Sequence, residues 1–239
     1  MARVRAVAWY SVAIICLIVS YPGIFYARYL NLRGNHEKRN FYSNVVVSRI
    51  ARVIFYMTGS RIKITGKHNI PKDSPCLFVS NHQGHLDSVI IQGFIKKPKG
   101  FVSISQYQRV PILGSWMHHM GSVFIDRGDI RKTFKTINEA TDIISSGHSM
   151  VIFPEGKLND GKETLDFQKG WLKMVRKNQI PVVPVTLKDS YKILSYNGKS
   201  MRPARIECHI SKPIFTEGLK KADEEEFLNT LRDIILEKL

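Results

Sequence analysis

The chain has 239 residues, 44% of them hydrophobic, which is enough to bury one sizeable core and excludes a disordered chain. Its formal net charge of +16 points to an anionic partner, a nucleic acid or an anionic membrane surface, although a lysine-favouring genome gives the same excess. The cysteines Cys16, Cys76 and Cys208 have neither metal-ligand spacing nor an even count, which excludes a disulfide framework and a zinc module and fits a reducing, cytosol-like compartment.

Residues Ala6 to Ala27 form an uncharged run, AVAWYSVAIICLIVSYPGIFYA. As a helix it rises roughly 33 Å, enough to cross a hydrocarbon core. Trp9, Tyr10, Tyr21 and Tyr26 lie near its ends, where amphipathic rings prefer the interface. A cleaved signal peptide is the rival, but the run is too long for a typical apolar region and no small-x-small site follows it. Pro22-Gly23 leaves open a kinked segment that dips in and returns. Arg3 and Arg5 precede the run, and Arg28, Arg33, Lys38 and Arg39 follow it, an excess that places the main domain in the cytoplasm. Val45 to Thr58 has Ser48, Arg49 and Arg52 on one helical face and Val46, Val47, Ile50, Val53, Ile54 and Met57 over much of the rest. It reads as an interfacial amphipathic helix or as a core helix of the globular part. The two segments together predict a two-helix membrane anchor over residues 1–58, followed by a globular domain over residues 59–239.

From Gly59 the pattern alternates. Strands are predicted at 61–65, 76–80, 100–103, 123–126, 150–153, 182–187 and 205–210, and helices at 87–96, 133–146, 167–177 and 222–238. Gly147 stops the second of these helices, and an acidic first turn opens the last, as the helix dipole prefers. Strands alternating with helices give the fold class: α/β, a layered sheet flanked by helices.

Four blocks carry the chemistry. The first is SNHQGHLD, Ser80 to Asp87, between a buried strand and a helix. His82 and Asp87 are five residues apart, which on a continuous helix turns them about 140° away from each other. They can meet if His82 lies in the loop and Asp87 near the helix start, where an Asp also suits the cap. A carboxylate beside imidazole fixes its tautomer and stabilises the imidazolium, making His82 a competent base for a hydroxyl. The spacing alone is weak: His68 and Asp73 share it in a polar loop, and a His and Asp that merely satisfy a loop look the same. His85 reads as structural or substrate-facing.

The second block is GSVFIDRG, Gly121 to Gly128, where Arg127 at a strand end suits bidentate phosphate binding or forms a surface pair with Asp126. The third is VIFPEGK, Val151 to Lys157, where a buried strand runs into a turn that sets Glu155 and Lys157 at the strand mouth, the usual ligand position in open α/β sheets. An ordinary turn is the alternative. The fourth, IPVVPV, Ile180 to Val185, holds no reactive group and shapes a pocket.

In this order, NHQGHLD, FIDR, FPEG and PVVPV resemble the glycerolipid acyltransferase family, best known through the 1-acyl-sn-glycerol-3-phosphate acyltransferases, over roughly residues 60 to 190. The resemblance implies that His82 is the base on the acceptor hydroxyl and that Asp87 orients it. It implies that Arg127, Glu155 and Gly156 help to bind the glycerol phosphate, and that the hydroxyl attacks an acyl thioester directly, with no metal and no cofactor beyond the co-substrate. The expected partners are membrane lipids, a lysophospholipid acceptor and acyl-CoA or acyl-carrier protein. The expected location is a cell membrane, the cytoplasmic face of a bacterial inner membrane. Three positions depart from the family pattern. Gly84 stands where Ser is usual, Ile104-Ser105-Gln106 lacks the usual lysine, and Lys157-Leu158 replaces the Thr-Arg that usually follows Glu-Gly. Lys157 or Arg109 is placed to supply the lost charge. The departures fall on the acceptor-phosphate side, so another lysolipid is an alternative acceptor. A non-catalytic lipid binder is a second class. A nucleic-acid binder lacks both a recognised motif and a basic-aromatic strand face.

Overall fold

The computed structural model describes residues 1–126 and 128–239. Its described strands are β1 (Arg61–Thr65), β2 (Leu77–Ser80), β3 (Lys99–Ile104), β4 (Val123–Ile125), β5 (Ser149–Ile152), β6 (Val182–Lys188) and β7 (Arg205–Ile210). They form one sheet in the order β1-β7-β6-β2-β5-β3-β4. All neighbours run parallel except β6 and β7. The outer pair β1 and β7, at one side of the sheet, therefore runs against the other five strands, and their first residues lie at the same end as the last residues of β2, β5 and β6.

Central strands β2 and β5 are buried along their whole length, as their unbroken apolar runs require of a sheet covered on both faces. Successive side chains alternate between two cores. Phe78 and Val151 join Ile90, Ile91, Val183 and Phe55 on one face, and Leu77, Val79 and Met150 join Ala140, Leu172 and Leu231 on the other.

The described helices, in chain order, begin with α1 (Ala2–Leu32) and α2 (His36–Tyr56). Helix α1 continues through Pro22, so the chain does not turn back at Pro22-Gly23, the alternative the sequence left open. Gly23 allows the Tyr42 hydroxyl and the Trp116 ring to press on α1, at 2.8 and 3.1 Å from where a Cβ would stand. Helix α2 starts nine residues before the predicted Val45, because the Asn35 side chain accepts from the Lys38 amide and caps it. Only α1 among the described helices is long and apolar enough to cross a membrane. The expected two-helix anchor is therefore one apolar helix, because α2 carries Glu37, Lys38, Arg39, Arg49 and Arg52. One face of α2 packs on the next helix, α3 (Asp87–Phe94), where Ser48 donates to the Gln92 carbonyl at 2.8 Å.

Short helices α4 (Ser105–Gln108) and α5 (Leu113–His119) follow β3, and neither is foreseen in the sequence. Helix α6 (Ile130–Ser145) starts earlier than predicted because Asp129 caps it, accepting from the amides of Arg131 and Lys132. Gly147, at φ 89°, ends it as expected. Helix α7 (Leu172–Asn178) is shorter than its apolar run, since Phe167 and Trp171 are buried from the turn before it. Helix α8 (Glu224–Leu236) covers the second core with Phe227, Leu228, Leu231 and Ile235.

Candidate active site

Strand β2 stops at Ser80, and a side chain continues its ladder. Asn81 Nδ2 donates to the Leu187 carbonyl, and the Leu187 amide donates to Asn81 Oδ1, both at 2.8 Å. The main chain is thereby free to turn away from the sheet, and residues 82–86 form the loop into α3. His82 lies in that loop and Asp87 is the first residue of α3, an arrangement in which their spacing lets them meet. His82 Nδ1 and Asp87 Oδ2 are 2.8 Å apart. A carboxylate only accepts, so Nδ1 carries the proton and Nε2 keeps a free lone pair.

Asp87 is fully buried while the His82 side chain is 25% exposed, so the pair has a protected end and an open end. Asp87 does not cap the helix in the expected way. The same Oδ2 accepts the Gly84 amide at 2.8 Å, which closes the loop on itself. The imidazole lies against Phe153, with ring centres 4.3 Å apart and planes at 23°. Such a base can remove a proton from a hydroxyl brought to Nε2, with the imidazolium then stabilised by Asp87.

Glu155 follows β5 and is buried, with 3% exposure. Its Oε1 accepts the His82 amide at 2.8 Å, and its Oε2 accepts Asn159 Nδ2 at 2.9 Å and the Leu165 amide at 3.0 Å. Asn159 in turn donates its own amide to the His82 carbonyl at 2.9 Å. Both oxygens of Glu155 are thus used to hold the chain around His82. Gly156 makes the turn beyond it at φ 67°, a conformation that favours glycine, with Gln168 close to the missing Cβ. Lys157 is exposed at the same mouth and has no ion pair among the described residues.

The fold brings together His82, Asp87 and Glu155, three of the residues singled out in the sequence, but Glu155, expected to bind the glycerol phosphate, has both oxygens turned to the chain around His82. Gly156 and Lys157 adjoin them in the chain. Arg127 lies outside the described residues. Asn81, Asn159 and Phe153 went unnoticed; the signal for the first was a polar residue at the end of an apolar strand. Asp126, at the end of β4, has its carboxyl held below the usual range by the Gly128 amide and Lys132, with a further contribution from the charge of Arg109. Among the described residues no cluster of His, Cys, Asp or Glu is arranged to hold a metal ion.

Residues 61–188 match the family model described as Acyltransferase. A 1-acyl-sn-glycerol-3-phosphate acyltransferase of Borreliella burgdorferi is 27% identical over 82% of this chain and 79% of its own. One from Saccharomyces cerevisiae is 29% identical over 78% of this chain and 62% of its own, so the match leaves over a third of the yeast protein uncovered. The crystal structure of the 1-acyl-sn-glycerophosphate acyltransferase PlsC from Thermotoga maritima superposes with a TM-score of 0.77 over 97% of this chain and 94% of that one, at 22% identity. That likeness confirms the fold: a mixed α/β sheet between helices.

Proposed function

The chain belongs to the acyltransferase family, and we propose that it moves a fatty acyl group from a thioester to the free hydroxyl of 1-acyl-glycerol-3-phosphate, giving phosphatidic acid. The observation that carries this reading is the buried Asp87 paired at 2.8 Å with a half-open His82. The names of the relatives supply the acceptor class.

In the proposed step, His82 Nε2 takes the proton of the acceptor hydroxyl as its oxygen attacks the thioester carbonyl. The C–S bond then breaks, and the thiolate of CoA or carrier protein leaves with the proton from the imidazolium. Asp87 holds the imidazole in place and offsets its charge. Glu155 holds the loop. Arg127 is assigned to the acceptor phosphate on its motif alone, with Lys157 and Arg109 supplying further positive charge.

Helix α1 supports a membrane location. Ile14, Ile15, Ile18, Val19 and Phe25 are exposed along it, an apolar face that suits lipid. Helix α1 would then act as the anchor and the sheet domain, residues 59–239, as the catalytic part, on the cytoplasmic side.

A second reading keeps the chemistry and changes the acceptor. It is favoured by Ile104-Ser105-Gln106, which lacks the usual lysine, and by Lys157-Leu158, which has its cation one position before the usual arginine. A labelled acyl donor offered with lysophosphatidate and with other lysolipids separates the two. Transfer to lysophosphatidate supports the first, and transfer only to another lysolipid replaces it.

A further inference from the structure

Residues 189–201 touch both the catalytic loop and α1. At the catalytic end, the Ser190 carbonyl carbon and oxygen lie 2.8 Å from where a Cβ on Gly84 would stand, and the Tyr191 nitrogen lies 2.9 Å from it. Only glycine at 84 allows this contact of backbone on backbone. His85 Nε2 lies 2.8 Å from the Tyr196 carbonyl, which can only accept, so the imidazole donates. The Tyr191 ring covers Gly161, 2.6 Å from its missing Cβ, two residues beyond the Asn159 that binds Glu155.

At the other end, the Met201 amide donates to the Ala2 carbonyl of α1 at 3.1 Å. The Tyr10 hydroxyl stands 2.8 Å from where a Cβ on Gly198 would be. Ile193, Leu194 and Met201 share a core cluster with Ala6 of α1. Within the segment, Leu194 and Met201 form a β-bridge and the Ser195 amide donates to the Ser200 carbonyl at 2.9 Å. The segment is therefore closed on itself and held at both ends.

We propose that the 189–201 segment is a strut through which α1 sets the position of the catalytic loop, with Tyr10 and His85 as positioning residues at its two ends. The inference rests on the acyl-transfer reading for its activity readout. The chemistry remains with His82, and the strut governs turnover more than binding of the thioester.

The test is a double-mutant cycle on the full chain in phosphatidylglycerol–phosphatidylethanolamine vesicles, with Tyr10→Ala, His85→Ala and the double variant. Each single change is expected to lower kcat roughly 3- to 10-fold, the worth of one hydrogen bond or contact, with KM for the donor unchanged. The double variant is expected to be no slower than the worse single one. His85→Gln, which keeps a donor, recovers turnover, whereas a merely structural loss would not be rescued. Chymotrypsin cleavage after the exposed Tyr196 is expected to quicken in both single variants. Unchanged kcat in His85→Ala, or losses that multiply in the double variant, overturns the strut. If the wild type transfers no acyl group, the acyl-transfer reading fails, and the chymotrypsin rates still decide the strut: faster cleavage in Tyr10→Ala and His85→Ala supports it, and equal rates overturn it.

Discussion

The backbone amide of His82 donates to Glu155 Oε1 at 2.8 Å, so a carboxylate at the end of β5 grips the chain where β2 ends. The neighbouring strands β2 and β5 pair in parallel, which brings their two exits side by side. The imidazole is then held by its main chain through Glu155, by its Nδ1 through Asp87 and by its face through Phe153.

Glu155→Gln tests that grip. A glutamine offers one acceptor oxygen where three donors converge, and its amide group would face at least one of them. Leaving a buried donor unpaired costs about 1–3 kcal/mol, so the melting temperature falls. Because the damage is to the loop, kcat is expected to drop roughly 10- to 100-fold with KM for the acceptor little changed, a loss of about 1.4–2.8 kcal/mol. A rise in KM alone would assign Glu155 to the acceptor instead.

Asp87→Asn separates charge from geometry. The asparagine oxygen can still accept from His82 Nδ1 and Gly84, so the loop should keep its shape. Without the negative charge the imidazolium loses its stabilising partner, and kcat is expected to fall about 10²-fold or more. Steady-state rates beside thermal unfolding check this; wild-type turnover in the variant would remove Asp87 from the mechanism.

Gly84→Ser restores the residue usual in the family, yet here it should harm. Its Cβ would meet the Ser190 backbone at 2.8 Å, and backbone cannot rotate away as a side chain can. Overpacking of this kind costs about 1–3 kcal/mol. Chemical unfolding of both proteins gives the difference, and an equally stable variant would show that the Ser190–Tyr191 turn is free to move.

His119 sets an acid limit on stability. Burial, aided by the charges of His118, Arg39 and Arg28, pulls its imidazole down to about 4. In the unfolded chain it titrates near 6.5. Between those values the unfolded chain binds more protons, so stability falls as the pH drops from about 6.5 to 4 and the loss is complete below that window. His119→Gln should flatten this part of the stability–pH curve, by on the order of 1–3 kcal/mol across it. An unchanged slope would place the acid sensitivity elsewhere.

Local signals made much of this legible. Buried runs such as Leu77–Ser80 and Ser149–Ile152 marked the central strands, and Gly147 marked the end of α6. The block Ser80–Asp87 pointed to the His82–Asp87 pair because its strand-to-helix setting offered a way for the two to meet. Non-local facts were hidden. The reversal of β1 and β7 depends on pairing between strands far apart in sequence, which no local period encodes. The early starts of α2 and α6 depended on single capping side chains, Asn35 and Asp129, that stand ahead of the apolar pattern. Glu155 was found as a residue at the strand mouth, but its grip on His82 needed the two strands side by side. Gly84 stood out as a departure, and its cause, the approach of Ser190, lies over a hundred residues away.

The most direct test of the account is transfer from labelled acyl-CoA and acyl-carrier protein to lysophosphatidate, by the wild type and His82→Ala in parallel. The account predicts labelled phosphatidic acid from the wild type and a rate at least about 10²-fold lower from the variant, the usual worth of a positioned general base. Equal rates from the two proteins would contradict the role of His82, and no transfer by the wild type from either donor would contradict the proposed reaction.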